Sequence, residues 1–468
     1  MSKYTHIRVS SSILATILAA LMLLVPSTGI AQEKAGPYDP KSEAAFNRVR
    51  GLNILGQLKE VLKAEYYDPK FRGIDLEKRF KEAEDRIKTQ DKNWQIYRTI
   101  ASVIAELKDS HTVFYPPDRL FRVEYGFTTM MIGPNCYIVD VNKGSDADAK
   151  AIKPGDEVLS ISGVVPARET YNDINYIIYG LDPQETIILD LAGADGKQRK
   201  VEVKSKFIPP EQREKERKKR KHDEQAKPYT CHELSPELIV CKLRTFEADR
   251  EAIDKMMKEV RGHRKMILDL RGNGGGSSDT LMYLTSYFFD HDVEVGVDNW
   301  RNKTKKLVAK GKNDDAFKGD LGLLIDSGSA SSSEIFARTI QLEKRGTLYG
   351  DTSMGAVMAA YQYGIVTPFF QNKMQYIGGE KYYVSFFEVT VAEFVMRDGG
   401  RLEGRGVTPD ILIGPSPLAL AQHGDPVLAY AAGLLGTKLT PEQAGEIHFL
   451  IPKAEEQLDA EGSNETKK

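Results

Sequence analysis

Gly322-Leu323-Leu324-Ile325-Asp326-Ser327-Gly328-Ser329-Ala330-Ser331-Ser332-Ser333-Glu334-Ile335-Phe336-Ala337-Arg338-Thr339-Ile340 is the stretch on which the reading of this chain turns. Its opening is a short apolar run of the kind a buried strand needs, and Ile335 to Ile340 place apolar residues at helical spacing. A serine at such a strand-to-helix junction lies beside backbone N–H groups that have no intrahelical partner. Those donors are suited to a developing oxyanion, so Ser331 is the candidate nucleophile. The same serines also read as ordinary caps and turn residues, because Ser is favoured at helix N-termini.

Working outward, Met266-Ile267-Leu268-Asp269-Leu270 is a second buried-strand pattern, and it runs into Arg271-Gly272-Asn273-Gly274-Gly275-Gly276. Glycines in this density let a backbone approach a ligand and present N–H groups with no Cβ in the way. A plain glycine-rich turn is the bland alternative. No Gly-Lys-Ser/Thr follows, which argues against a Walker-type phosphate loop. Strand patterns alternate with helical ones from Leu238 to Phe289, as in an α/β protein with a largely parallel sheet. Both glycine- and serine-rich loops then fall at strand C-terminal ends, where open α/β sheets place their chemistry.

The chain has 468 residues, room for two or three domains, and 65 basic against 67 acidic side chains, a formal charge of −2. That balance gives no reason to expect nucleic acid as a partner. At the start, Lys3 and Arg8 precede the apolar run Ile13 to Val25, and Gly29-Ile30-Ala31 supplies the small residues of a cleavage site. We expect a secretory signal peptide over 1–31 cut near Ala31, an exported periplasmic or extracellular protein, and no stable membrane anchor. In an oxidising compartment Cys231 and Cys241, on either side of a turn-like segment, read either as a disulfide or as two buried thiols. Their spacing does not suggest zinc, and we expect neither a metal nor a cofactor.

From Ser42 to Leu107 apolar residues recur three and four apart, as in Leu55, Leu58, Val61 and Leu62, predicting a helical domain. It ends in Asp109-Ser110-His111-Thr112, before a double proline. Residues 120 to 205 alternate as short strands, with Tyr125-Gly126-Phe127 at the opening and Lys153-Pro154-Gly155-Asp156 before a strand. The run from Pro209 to Lys227 is densely charged with mixed signs, as a solvated linker is.

Taken together, Asp269 to Gly276, Gly328 to Ser331 with Glu334, and Glu403-Gly404-Arg405-Gly406-Val407-Thr408-Pro409-Asp410 resemble the carboxyl-terminal-processing and tricorn-type serine peptidases. The inserted segment resembles a PDZ domain. The resemblance implies an α/β multidomain fold: signal peptide 1–31, N-terminal helical domain 38–117, β-rich PDZ-like module 118–206, charged linker 207–228, α/β (crotonase/ClpP-like) protease core 229–435 and polar tail 436–468. It implies a serine endopeptidase acting on protein or peptide substrates, with free C-termini taken by the amides of Tyr125, Gly126 and Phe127. Ser331 is then the nucleophile, and the N–H groups of Ser332 and of Gly274 or Gly275 hold the oxyanion. Relatives of the Ser-Lys type carry a lysine soon after the nucleophile. Here that place reads Met354-Gly355-Ala356-Val357, so the resemblance narrows to the tricorn-like arrangement: His111 as base, Glu403 completing the network through Ser110. The competing reading is a catalytically inactive relative that binds peptides or apolar ligands. Nothing in the sequence sets an oligomeric state.

Overall fold

Helices α1 (Pro40–Glu65), α2 (Leu76–Ile87) and α3 (Asn93–Ala105) begin the part of the chain that the computed structural model describes, residues 40–116, 122–209, 212, 228–368, 375–377 and 380–447. The expected signal peptide, nearly all of the expected linker and the end of the expected tail lie outside those residues. The chain divides into Met1–Glu43 and Ala44–Lys468, and every contact below lies within the second unit. Asp75 caps α2 by accepting the Lys78 N–H, and Leu76, Phe80, Ala83 and Ile87 line its buried face. Ile96, Ile100 and Ile104 do the same for α3, and Leu55, Leu58 and Leu62 of α1 are buried with them.

After strand β1 (Val113–Tyr115) comes a β-rich module: β2 (Arg122–Glu124), β3 (Phe127–Ile132), β4 (Asn135–Val141), α4 (Asp146–Ala149), β5 (Glu157–Ile161), α5 (Tyr171–Asn175), β6 (Thr186–Ala192), β7 (Gln198–Lys204) and β8 (Lys206–Ile208). Strands β3 to β7 form an antiparallel sheet in sequence order, and β2 pairs with β8. This moves one expected boundary. Phe207 and Ile208, assigned to the linker, pair with Val123 and Arg122, because Ile208 has an apolar face to bury.

The remaining elements are β9 (Tyr229–Ser235), β10 (Leu238–Leu243), α6 (Arg250–Val260), β11 (Lys265–Asp269), α7 (Ser278–Ser286), β12 (Val293–Trp300), β13 (Lys303–Ala309), β14 (Asp320–Ile325), α8 (Ser332–Leu342), β15 (Thr347–Gly350), β16 (Met358–Pro368), β17 (Gln375–Ile377), β18 (Glu380–Met396), β19 (Ile411–Leu412), α9 (Pro417–Ala421), α10 (Pro426–Leu434) and α11 (Pro441–Gly445). One sheet runs β19-β15-β14-β11-β10-β9, parallel except for β9. Ile253, Met256, Leu284 and Phe336, from α6, α7 and α8, cover one face; Val427, Leu428 and Ala431 of α10 cover the other. Strands buried on both faces read as continuous apolar runs, which is why β11 and β14 were legible. A second sheet, β1-β18-β12-β13 with β16 and β17 on β18, joins the helical region, where Phe114 and Phe387 pack at a tilt with ring centroids 5.6 Å apart.

Cys231 and Cys241 face each other across β9 and β10 and are disulfide-bonded, with Cα atoms 4.0 Å apart. The expected tail starts too early: Ala444 of α11 is buried, and the Thr437 hydroxyl lies 3.0 Å from that of Ser235. Short apolar residues among the polar ones, Leu439 and Ala444, find a place against α10.

Candidate active site

Ser331 stands at the mouth of α8 with φ +54° and ψ −116°, a backbone conformation that costs a non-glycine residue on the order of 1–3 kcal/mol. Its N–H is held on two sides, by the Ala356 carbonyl at 2.9 Å and by Glu334 Oε2 at 3.0 Å. The other serines of the run are committed to structure. Ser327 donates to the Met131 carbonyl, Ser329 to Leu270, Ser332 to Gly276 and Ser333 to Asn273. Among the described residues no backbone carbonyl takes the Ser331 hydroxyl, and this side chain is half-buried at the surface of the junction.

The glycine loop lies against it. A Cβ on Gly275 would come within 2.8 Å of Ser331 Cβ and 2.9 Å of the Ala330 carbonyl, so only glycine fits beside this serine. Of the expected oxyanion donors, Gly275 is already engaged: its N–H donates to Asn273 Oδ1 at 2.9 Å. The N–H groups of Gly274 and Ser332 have no partner among the described residues, so the donor pair narrows to these two. Asn273, unassigned from sequence, is fully buried and ties both loops together. Its amide donates to the Leu243 carbonyl, and its own carbonyl takes the Ala330 N–H and the Ser333 hydroxyl.

Beneath the loop, the Arg271 guanidinium is fully enclosed and makes paired hydrogen bonds to Asp269 and Asp425 at 2.7–3.0 Å. Burial pushes Asp269 up, but Arg271 and Lys242 beside it hold it below the usual carboxylate range. An enclosed charge survives only when paired, so Arg271 anchors the loop rather than facing a ligand.

Ser110, His111 and Glu403 are brought together. Ser110 Oγ lies 2.7 Å from His111 Nδ1 and 3.0 Å from Glu403 Oε2, and the Ser110 N–H donates to Glu403 Oε1 at 2.7 Å. A carboxylate only accepts, so the Ser110 proton points to Glu403 and the His111 Nδ1–H donates to Ser110. This tautomer leaves His111 Nε2 as an acceptor. The turn is fixed by Asp109, which accepts the N–H groups of His111 and Thr112 and the hydroxyls of Tyr66 and Thr390. Sequence reading gave Asp109 no role; the only signal for it was its position two residues before the histidine.

Ser331 and the histidine network meet through residues 353–357. Ala356 takes the Ser331 N–H, while the next N–H, that of Val357, donates to Glu403 Oε2 at 2.8 Å. The Gly404 N–H donates to the Gly355 carbonyl at 2.7 Å. Ala356 is buried.

Tyr125-Gly126-Phe127 leads into β3, an edge strand. Gly126 has φ +77°, and a Cβ there would lie 2.3 Å from Ser145 Cβ; Tyr125 and Phe127 point into the module's own core. The Tyr171 hydroxyl of α5 donates to the Thr129 carbonyl on the same strand at 2.6 Å. The module touches the core close to the serine: besides the Ser327 bond to Met131, Arg168 pairs with Asp351 and donates to the Thr352 carbonyl.

Residues 238–413 match Peptidase family S41. A probable CtpA-like serine protease from Staphylococcus aureus (strain MSSA476) is 20% identical over 440 residues, which cover 88% of this chain and 74% of that protein. The carboxy-terminal processing protease CtpA from Bacillus subtilis (strain 168) is 25% identical over 306 residues, 65% of this chain and 59% of that one. Mature CPAF, solved in complex with lactacystin, has a similar fold, with a TM-score of 0.59 at 14% identity over 80% of this chain and 96% of that chain.

Proposed function

We propose that this chain, whose residues 238–413 belong to peptidase family S41, is an exported serine endopeptidase of the Ser-His type. The observation that carries the reading is the Ser110 hydroxyl set between Glu403 Oε2 and His111 Nδ1. In this mechanism Ser331 Oγ attacks the scissile carbonyl while its proton passes to His111 Nε2. The oxyanion is held by the N–H groups of Gly274 and Ser332, each worth on the order of 100- to 1000-fold in rate. As His111 becomes an imidazolium, Glu403 stabilises it through Ser110. The peptide C–N bond then breaks, His111 gives the proton to the leaving amine, and water repeats the cycle on the acyl-enzyme. The β-rich module is read as PDZ-like, taking free substrate C-termini beside Tyr125, Gly126 and Phe127. An edge strand with a glycine-containing approach is what supports that part.

The test is covalent labelling with a fluorophosphonate, mapped by mass spectrometry. The expected result is one label, on Ser331, and no peptide hydrolysis by Ser331→Ala with its melting temperature kept within a few degrees. Labelling at Ser329 or Ser333, or undiminished hydrolysis by the alanine variant, overturns the proposal.

A further inference from the structure

Glu334 lies in the first turn of α8, with no solvent-exposed surface. Four donors converge on its carboxylate. Oε1 accepts the Ser353 hydroxyl at 2.6 Å and the Gly355 N–H at 2.7 Å; Oε2 accepts the N–H groups of Ala356 at 2.9 Å and Ser331 at 3.0 Å. Ser353 Oγ in turn accepts the Val407 N–H at 2.6 Å, so the same carboxylate reaches the loop that carries Glu403. The geometry points to Glu334 as a positioning residue: in its ionised form it fixes the strained backbone of Ser331 and locks residues 353–357, which join the nucleophile to Glu403. This inference rests on the serine-peptidase reading given above.

The reason the ionised form is required is the donor set. Both oxygens already receive two hydrogens, and a protonated carboxyl must either reverse the Ser353 hydroxyl bond or donate where a backbone N–H points. Among the described residues no charged side chain hydrogen-bonds or ion-pairs with Glu334 to offset burial. Its partners on α8 and the 353–356 segment are the neutral groups named. The titratable groups on neighbouring elements are engaged elsewhere: Asp351 with Arg168, Glu403 with Ser110 and Val357, Arg338 with Asp398. Burial accordingly pushes the carboxyl up to about 7, against the pull of its hydrogen bonds. The site thus holds a carboxyl, Glu334, that changes protonation near neutrality.

The experiment is the rate of fluorophosphonate labelling of the full chain from pH 5.5 to 9, for wild type, Glu334→Gln, Glu334→Asp and Ser353→Ala. Wild type should lose labelling on the acid side more steeply than Glu334→Gln, because Glu334 takes up a proton near 7. Glu334→Gln should be slower by about 100-fold at pH 8, the scale of a small misplacement of reacting groups. Glu334→Asp should recover part of that loss and the steeper acid limb. A uniform loss at every pH, or a Gln variant within about threefold of wild type, overturns the inference. Should the Gln variant not fold, hydrogen exchange of Ser353→Ala at pH 8 decides: peptides spanning 331 and 353–357 should lose protection relative to wild type, and unchanged protection overturns the inference. Absence of any labelling of wild type refutes the peptidase reading instead, and the exchange measurement still tests Glu334.

Discussion

Ser110 and Glu403 stand 293 positions apart in the chain, yet the hydroxyl of one donates to the carboxylate of the other at 3.0 Å. That bond decides which nitrogen of His111 carries its proton, because a serine that donates to a carboxylate can only accept from Nδ1. A consequence follows for Ser110→Ala. Removing the hydroxyl frees the imidazole to take the wrong tautomer, so kcat should fall by about 100-fold with KM nearly unchanged. Steady-state kinetics with a fluorogenic peptide measure it, and an equal loss in KM would point to substrate binding instead.

His111→Ala should cost at least ~1000-fold in kcat, as deletions of a triad base do. Glu403→Gln should cost less, since the nucleophile and base remain. Near-normal turnover in the His111 variant would mean that another group takes the proton.

Glu334 also makes a stability prediction with a definite sign. Its carboxyl titrates near 7 in the folded chain against an ordinary 4.5, because burial disfavours the charge. Between those values the folded state binds more protons than the unfolded one, so stability falls as pH rises from 4.5 through 7. At 1.36 kcal/mol per unit the full effect is on the order of 3 kcal/mol. Urea unfolding between pH 4.5 and 8 should show this slope, and Glu334→Gln should flatten it. A slope unchanged by the substitution would rule Glu334 out as its source.

For the β-rich module, the full chain carrying Ser331→Ala should bind peptides with a free C-terminal carboxylate better than their amides. Gly126→Ala should remove that preference, because the new Cβ collides with Ser145 at a backbone φ of +77°. Calorimetry on both variants, with circular dichroism as a check of folding, tests it. Equal binding of acid and amide would leave the module as a spacer or cover.

The sequence by itself determined the strands and helices that carry the site. Apolar runs buried on both faces, as in Leu323-Leu324-Ile325, and stripes at helical spacing, as in Ile96, Ile100 and Ile104, are local patterns that any tertiary context must satisfy. It also placed Ser331 at a helix start, because an apolar strand run ends before it and apolar residues at helical spacing follow. What only the tertiary structure decided are the contacts between segments far apart in the chain. Nothing local distinguishes Glu334, a helix N-terminal carboxylate, from a solvated one; its burial comes from Ser353, Gly355 and Ala356 folding over it. Asp425 both caps α10, accepting the Leu428 N–H, and pairs with Arg271 from a distant strand end, and Gly275 reads as a donor until Asn273 occupies its N–H. A hydrogen bond between distant residues leaves no periodic trace in a sequence. Its partners are fixed by how the sheet and helices pack, and the packing is what the fold adds.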